Sequence, residues 1–315
     1  MREIKKILVT GAGGYMGGYF IAAAAKRFPR ATIAASDVKN AAARLPKTEG
    51  GKNIGFIKCD AADLQAAKAL VARVKPDVIV NLAGTGAATI LPWDVLIRAN
   101  LASAVSLMEA SLCVKPSPTV ILVGSAAEYG AAKKSQLPVR ENSILSPVSP
   151  YGLVKSWQSE AADFYSARGL KVIVARMFNV LGPAMSESLS VGSFAAQISR
   201  IKSGKTRDCE LKVGDIGVKR DFVDVRDVAD ALCLLALKGK AGFYNVSSGK
   251  SVSLKRIIKI LCGNSAPKIK IVCEKSRFRS NDVKDIRGSS IALRKQTGWK
   301  PRRTLSETLD SIRTR

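Results

Sequence analysis

A doubly wound α/β fold, a parallel sheet flanked by helices with a smaller C-terminal lobe, is predicted by three observations. The first 176 residues alternate short β-branched runs with longer amphipathic stretches, the pattern of βαβ units. A glycine-rich turn follows the first of those runs directly. After Arg176 the rhythm breaks into shorter, turn-rich elements. The 315 residues, 47% hydrophobic and 24% charged, bury a full core without disulfide or metal staples, which rules out disordered and mini-protein classes.

In chain order, the apolar β-branched runs predict strands at 5–10, 31–36, 54–59, 77–83, 119–125 and 171–176. The stretches between them predict helices near 14–28, 62–74, 93–114 and 150–168. Shorter elements follow at 211–214, 220–225 and 244–248, and the segment 275–290 reads as a long irregular loop. The expected division is 1–176 for the main domain and 177–315 for most of the lobe, with some strands returning to the main sheet.

Charge and composition narrow the chemistry. Histidine is absent, which excludes triad hydrolases, histidine acid–base catalysis and almost every catalytic zinc site. Proton transfer then falls to Tyr, Lys, Asp, Glu or Cys. The six cysteines are scattered without the close pairs of zinc or redox motifs, which fits a reducing cytoplasm. A net charge of +26 favours anionic partners, and residues 255–315 hold 17 Lys+Arg against 5 Asp+Glu. These charges are spread among apolar positions, so solvated helix faces are the first reading and a nucleic-acid partner is disfavoured. Glycines interrupt the apolar stretch near the start, which argues against a signal peptide, and no apolar run reaches the length of a membrane span. A soluble, unprocessed, cytoplasmic protein is expected.

The turn is Thr10-Gly11-Ala12-Gly13-Gly14-Tyr15-Met16-Gly17. Glycines at 11, 14 and 17 allow a tight turn, close approach of backbone to a pyrophosphate, and close packing of helix on strand, as in Rossmann-type sheets. The helix end then faces the phosphates with its N–H groups and dipole. Asp37 follows the second strand, about 20 residues on, where a carboxylate accepts from an adenosine ribose hydroxyl. That carboxylate repels a 2′-phosphate, so NAD(H) is favoured; Lys39 and Arg44 lie close behind and leave NADP(H) open.

Tyr151 and Lys155 stand four residues apart at the start of a predicted helix, on one face a turn apart. A tyrosine with its reference pKa of about 10 is a poor base at neutral pH. A lysine ammonium at about 4 Å, at an effective dielectric near 20, offers about 4 kcal/mol, enough to bring the phenol toward neutrality. Ser125, at the end of the fifth strand, supplies a hydroxyl to hold a carbonyl or alcohol oxygen.

Taken in this order, the motifs resemble the extended short-chain dehydrogenases/reductases, the nucleotide-sugar epimerases, dehydratases and reductases, over nearly the whole chain. The resemblance implies a cofactor site at Gly11, Gly14, Tyr15, Met16 and Asp37, with Asp60 and Ala61 at the adenine. It places Leu82, Ala83, Gly84 and Asn100 at the nicotinamide half, bordered by Phe178. Ser125, Tyr151 and Lys155 match the catalytic serine, tyrosine and lysine, the last two also touching cofactor. Asn179, Arg220 and Arg279 match residues that hold a nucleotide diphosphate, which suits guanidinium chemistry. Arg220 has a structural alternative as partner of Asp224 or Asp227. A homodimer through a four-helix bundle of the 93–114 and 150–168 helices is also implied.

Family dehydratases carry acidic residues where this chain has Ala126 and Ala127, and a methyl group transfers no proton, so 4,6-dehydration is disfavoured. Glu128, one residue later, is expected on the opposite face of an extended strand as a structural or positioning carboxylate. The segments SPYGLVKS, RMFNVLGP, KRDFVDVRDV and TGWKP look most like the GDP-6-deoxy-4-keto-mannose reductases. The expected reaction is reduction by NAD(P)H of the C4 keto group of a nucleotide-linked 4-keto-6-deoxyhexose. A 4-epimerase with tightly bound NAD is the close alternative. A non-catalytic dinucleotide- or RNA-binding protein on the same fold is the alternative from another class.

Overall fold

The computed structural model describes residues 3–46, 54–86, 91–205, 208–263, 269–278 and 282–313. The first half runs β1 (Lys6–Thr10), α1 (Tyr15–Arg27), β2 (Thr32–Asp37), β3 (Ile54–Lys58), α2 (Leu64–Val74), β4 (Val78–Asn81), α3 (Trp93–Ile97), α4 (Ser103–Leu112), β5 (Thr119–Ser125), α5 (Pro150–Ala167) and β6 (Val172–Met177). The second half runs β7 (Asn179–Leu181), α6 (Ser190–Lys202), β8 (Glu210–Val213), β9 (Lys219–Asp224), α7 (Val225–Lys238), β10 (Gly242–Val246), β11 (Ser251–Ser253), α8 (Leu254–Cys262), β12 (Lys270–Cys273), β13 (Asp285–Ile286), α9 (Ile291–Thr297) and α10 (Leu305–Arg313).

The main sheet has seven strands in the order β10-β6-β5-β4-β1-β2-β3, all parallel. Every residue of β4 and β6 is buried, as strands covered by helices on both faces must be. One face packs Ile7, Val9, Phe20, Ile21 and Leu232 with α1 and α7; the other packs Leu8, Ile79, Leu107, Met108 and Leu122 with α2, α4 and α5. Helix starts are marked by side-chain caps. Asp63 accepts from Ala66 N–H at 2.8 Å, and Ser149 accepts from Gly152 N–H at 3.1 Å with Pro150 in the first turn. The strand order reverses beside β1 and β4, the crevice where ligands bind in such sheets.

The expected strands and helices of the first half all form, with ends moved by one or two residues, apart from two changes. The helix expected over 93–114 is α3, a π-helical turn at Arg98–Ala102, and α4. Its 20 residues Trp93–Leu112 are long and apolar enough to cross a membrane, but half of that stretch is buried inside the fold. The second change lies at 126–128, described with the site. In the second half, the 244–248 run is β10, which leaves the lobe and pairs with β6 at the edge of the main sheet. The 275–290 segment carries a 3₁₀ turn, Lys275–Arg277, and β13, which pairs with β9. The lobe core joins α6, α8 and α10 through Phe194, Ile198, Ile257, Leu261 and Leu309. Trp299, 2% exposed, donates its indole N–H to Asp227 O at 2.9 Å and ties the C-terminal segment to α7.

Candidate active site

Gly11 has φ +67°, and a Cβ there would stand 2.3 Å from Ala83 N and 2.5 Å from Leu82 C. The turn therefore lies directly against the end of β4, and only glycine permits that approach. A Cβ on Gly17 would stand 2.1 Å from Ala12 O, so α1 packs closely on the turn. Gly14 begins α1 with no side-chain cap and no acidic residue in the first turn, which leaves the amide end of the helix open to an anion. Asp37 at the end of β2 accepts from Gly13 N–H at 2.9 Å and Lys39 N–H at 3.3 Å. The tight glycine turn, the open amide end of α1 and the carboxylate at the end of β2 are a set of groups that fits a dinucleotide. Met16 is partly buried beneath the turn. The Tyr15 hydroxyl is buried without a hydrogen-bond partner, and burial, with Tyr19 and Asp224 nearby, holds it far above the ordinary phenol range.

At the far side of the crevice, Ala61 is buried, and Asp60 accepts from Ala62 N–H at 2.9 Å and Arg98 at 2.6 Å. Asn100 sits on the π-helical turn, fully buried, donating to Thr85 Oγ1 at 2.9 Å and Leu96 O at 3.1 Å. A Cβ on Gly84 would stand 2.7 Å from Asn100 Oδ1 and 3.8 Å from Lys155 Nζ, so the end of β4, Asn100 and Lys155 converge. A π turn at such a point fits the tendency of these turns to mark functional sites.

Ser125 ends β5 and starts a 3₁₀ turn, Ala126–Glu128. Its Oγ accepts from Ala127 N–H at 3.1 Å, and its own N–H donates to Glu128 Oε1 at 2.6 Å. Tyr151 lies in the first turn of α5, which packs on this 3₁₀ turn so closely that a Cβ on Gly152 would stand 2.5 Å from Ala127 O. Burial pushes the Tyr151 phenol up to about 12; the Ser125 hydroxyl opposes that shift and the Glu128 charge adds to it. Lys155, 3% exposed, donates to Val123 O at 2.9 Å and Gln158 Oε1 at 3.0 Å. Burial lowers its ammonium to about 8, against the pull of Glu128. The expectation that Lys155 acidifies Tyr151 toward neutrality is thus corrected. The ammonium is held by a strand carbonyl and a glutamine, and desolvation decides the phenol.

The expected geometry of Glu128 is corrected too. It is not on an extended strand but folds back through the 3₁₀ turn onto Ser125. Its Oε2 accepts from Ser159 Oγ at 2.6 Å and Arg176 Nε at 2.8 Å. Burial pushes the Glu128 carboxyl up, and Arg176 opposes the shift. Sequence reasoning missed Gln158, Ser159, Arg176 and Asn245. The one available signal was Arg176 itself, a charge at the end of an otherwise apolar strand run.

Of the expected diphosphate ligands, Asn179 donates to Asp221 O at 3.1 Å. Arg220 donates to the Asp282 carboxylate, the Val283 carbonyl and Lys219 O. Its partner is therefore neither Asp224 nor Asp227, which pair with Arg226 and Arg303, each at 2.6 Å. Phe178 is 4% exposed, its ring 6.4 Å from that of Tyr129 and closed over by Gly288. Arg279 lies outside the described residues. Among the described residues no group of three or more His, Cys, Asp or Glu is placed to hold a metal ion.

The sequence matches the GDP-mannose 4,6-dehydratase family model over residues 8–312. It is 34% identical over 244 residues to a GDP-6-deoxy-D-mannose reductase of Pseudomonas aeruginosa, covering 75% of this chain and 79% of that protein. It is 25% identical over 335 residues to UDP-arabinose 4-epimerase 1 of Arabidopsis thaliana, covering 98% and 78%. The fold superposes on RMD from Pseudomonas aeruginosa complexed with NADPH with a TM-score of 0.81 at 29% identity, covering 98% and 96% of the two chains. It superposes on a Thermus thermophilus UDP-glucose 4-epimerase complexed with NAD with a TM-score of 0.83 at 22% identity, covering 98% and 97%.

Proposed function

The chain belongs to the GDP-mannose 4,6-dehydratase family, within the extended short-chain dehydrogenases/reductases, and we propose that it reduces the C4 keto group of a GDP-linked 4-keto-6-deoxyhexose. One observation carries the reading: Ser125 at the end of β5 and Tyr151 in the first turn of α5 are brought together at the carboxyl end of the sheet, while the positions after Ser125 are the methyl groups of Ala126 and Ala127. That pair can deliver a proton to a carbonyl oxygen, and the acid beside it, Glu128, is engaged by Ser125, Ser159 and Arg176 and so is not placed to eliminate water. The 34% identity to a reductase supports reduction over epimerisation.

The nicotinamide cofactor, when bound, supplies the hydride. The amide end of α1 at Gly14, Tyr15 and Met16, with Gly11, would hold its diphosphate, and Asp37 its adenosine ribose. Asp60 with Ala61 would stand at the adenine, and Leu82, Ala83, Gly84 and Asn100 at the nicotinamide half. Asp37 favours NADH, since a ribose 2′-phosphate would meet its carboxylate. Tyr151 gives its hydroxyl proton to the oxygen at C4. Ser125 donates a hydrogen bond to the same oxygen. Lys155 clamps α5 to β5 and presents its charge at the convergence with Asn100. Asn179, Arg220 and Arg279 would hold the nucleotide diphosphate, and Phe178 would border the nicotinamide. Trp93, 47% exposed, and Phe164, 59% exposed, leave apolar surface on α3 and α5 that fits a homodimer through paired helices. The expected location is cytoplasmic.

The test is incubation with NADH and GDP-4-keto-6-deoxymannose. Consumption of one NADH per sugar converted supports the proposal; no consumption there, together with interconversion of GDP-linked 4-hydroxy epimers in a parallel incubation, would replace it with the epimerase reading.

A further inference from the structure

We propose that Glu128 is a positioning residue: its buried carboxylate, gripped from behind by Arg176 and Ser159, fixes the turn that aims the Ser125 hydroxyl at Tyr151. The proposal rests on the reading of Ser125 and Tyr151 as the reacting pair.

Glu128 and Ser125 cap each other. Oε1 takes the Ser125 N–H at 2.6 Å, and Ser125 Oγ takes the Ala127 N–H at 3.1 Å, closing a single 3₁₀ turn from both sides. A serine hydroxyl has one proton to give. With a lone pair taken by Ala127, that proton is left free for the carbonyl oxygen that Ser125 and Tyr151 share. The other carboxylate oxygen reaches Ser159, one helical turn past Lys155, so the same group ties the strand-end serine to the helix that carries Tyr151.

Arg176 is itself immobilised. It donates to Tyr129 Oη at 3.2 Å and Glu141 O at 3.0 Å, and it lies 4.4 Å from the Phe243 ring centroid. Tyr129 in turn donates to Asn245 Oδ1 at 2.7 Å. Glu128 is 0% exposed and Arg176 3% exposed. An ion pair this deep gains little net stability, because desolvating both charges offsets their attraction. Both carboxylate oxygens are already engaged by Ser125, Ser159 and Arg176. Glu128 therefore acts through Ser125 and not by proton transfer to substrate.

Steady-state turnover of GDP-4-keto-6-deoxymannose with NADH is measured for Glu128→Ala, Ser125→Ala and the double variant. Glu128→Ala is expected to lower kcat about tenfold or more, with KM and NADH affinity changed less than about twofold, because the loss is confined to transition-state alignment. In the Ser125→Ala background the same substitution is expected to cost nothing further, since both act on one group. An equal loss in both backgrounds overturns the proposal. Glu128→Ala strands the Arg176 charge, so Glu128→Leu/Arg176→Met repeats the test with both charges removed. The same loss of kcat is expected there, and wild-type kcat overturns the proposal. Amide hydrogen exchange at Ser125 is expected to accelerate in every Glu128 variant, and unchanged exchange overturns the placement. Accelerated exchange in a protein whose wild type turns over no sugar upholds the placement and overturns the reductase reading instead.

Discussion

The Lys155 ammonium donates to the Val123 carbonyl at 2.9 Å, two residues before Ser125, and so pins the helix carrying Tyr151 to the strand carrying Ser125. The lysine is buried with that carbonyl and Gln158 as its partners, and its pKa of about 8 lies below the ordinary 10.5.

That depression has a signed consequence. Below about pH 8 the native and unfolded chains both hold the proton, and the native state carries the cost of the buried charge. Between there and about 10.5 only the unfolded chain holds it, so this lysine's contribution improves as pH rises. The wild-type melting temperature is expected to gain on that of Lys155→Met between about pH 7 and about pH 10. A gap that stays constant would show an unperturbed ammonium, and one that moves the other way a raised pKa; either contradicts the burial effect. Calorimetry of both proteins across the range decides it.

Tyr151→Phe is expected to lower turnover by about 10²- to 10⁴-fold, the usual worth of a positioned acid, while NADH affinity stays within about twofold. Wild-type rates in that variant, followed by NADH absorbance, would remove Tyr151 from the chemistry.

Gly11→Ala places a methyl group 2.3 Å from Ala83 N on a backbone with φ +67°. A loss of at least about 1–3 kcal/mol of stability is expected from strain alone, with NADH binding lost as the turn shifts. Thermal unfolding and NADH fluorescence titration measure the two effects. A Gly11→Ala variant that binds NADH normally would mean the turn is not the phosphate cradle.

Asp37→Ser removes the carboxylate bonded to Gly13 N–H. The NADH-to-NADPH preference in kcat/KM is expected to fall by about tenfold or more, corresponding to about 1.4 kcal/mol or more of charge repulsion removed. An unchanged ratio would place the discriminating contact elsewhere.

The sheet was legible because parallel strands covered on both faces read as short continuous β-branched runs, as in KILVT and VIVARM. Ser125, Tyr151 and Asp37 were legible because each sits where a strand ends or a helix begins, at positions that spacing along the chain locates. The π turn around Asn100 was not, since the segments on either side of it, Trp93–Ile97 and Ser103–Leu112, each read as ordinary helix. Nor was β10 as a main-sheet edge strand, because YNVSS has no feature that distinguishes pairing with β6 from pairing inside the lobe. The partners of Lys155, Glu128 and Arg220 were hidden for one shared reason. Each is settled by groups distant in sequence: Val123, 32 residues away from Lys155; Arg176, 48 away from Glu128; and Asp282, 62 away from Arg220. For Lys155 and Arg220 local spacing suggested nearer partners, Tyr151 and Asp224 or Asp227, and the tertiary fold supplied others.

The account stands on hydride delivery to C4 with Tyr151 supplying the proton. The direct measurement uses NADH deuterated at the transferring position of nicotinamide C4, GDP-4-keto-6-deoxymannose as acceptor, and NMR of the isolated sugar. Deuterium at sugar C4, matched by one NAD⁺ formed per product, is the predicted result. A 4-keto sugar recovered unreduced with no NADH consumed, or a reduced sugar carrying no deuterium at C4, would contradict it.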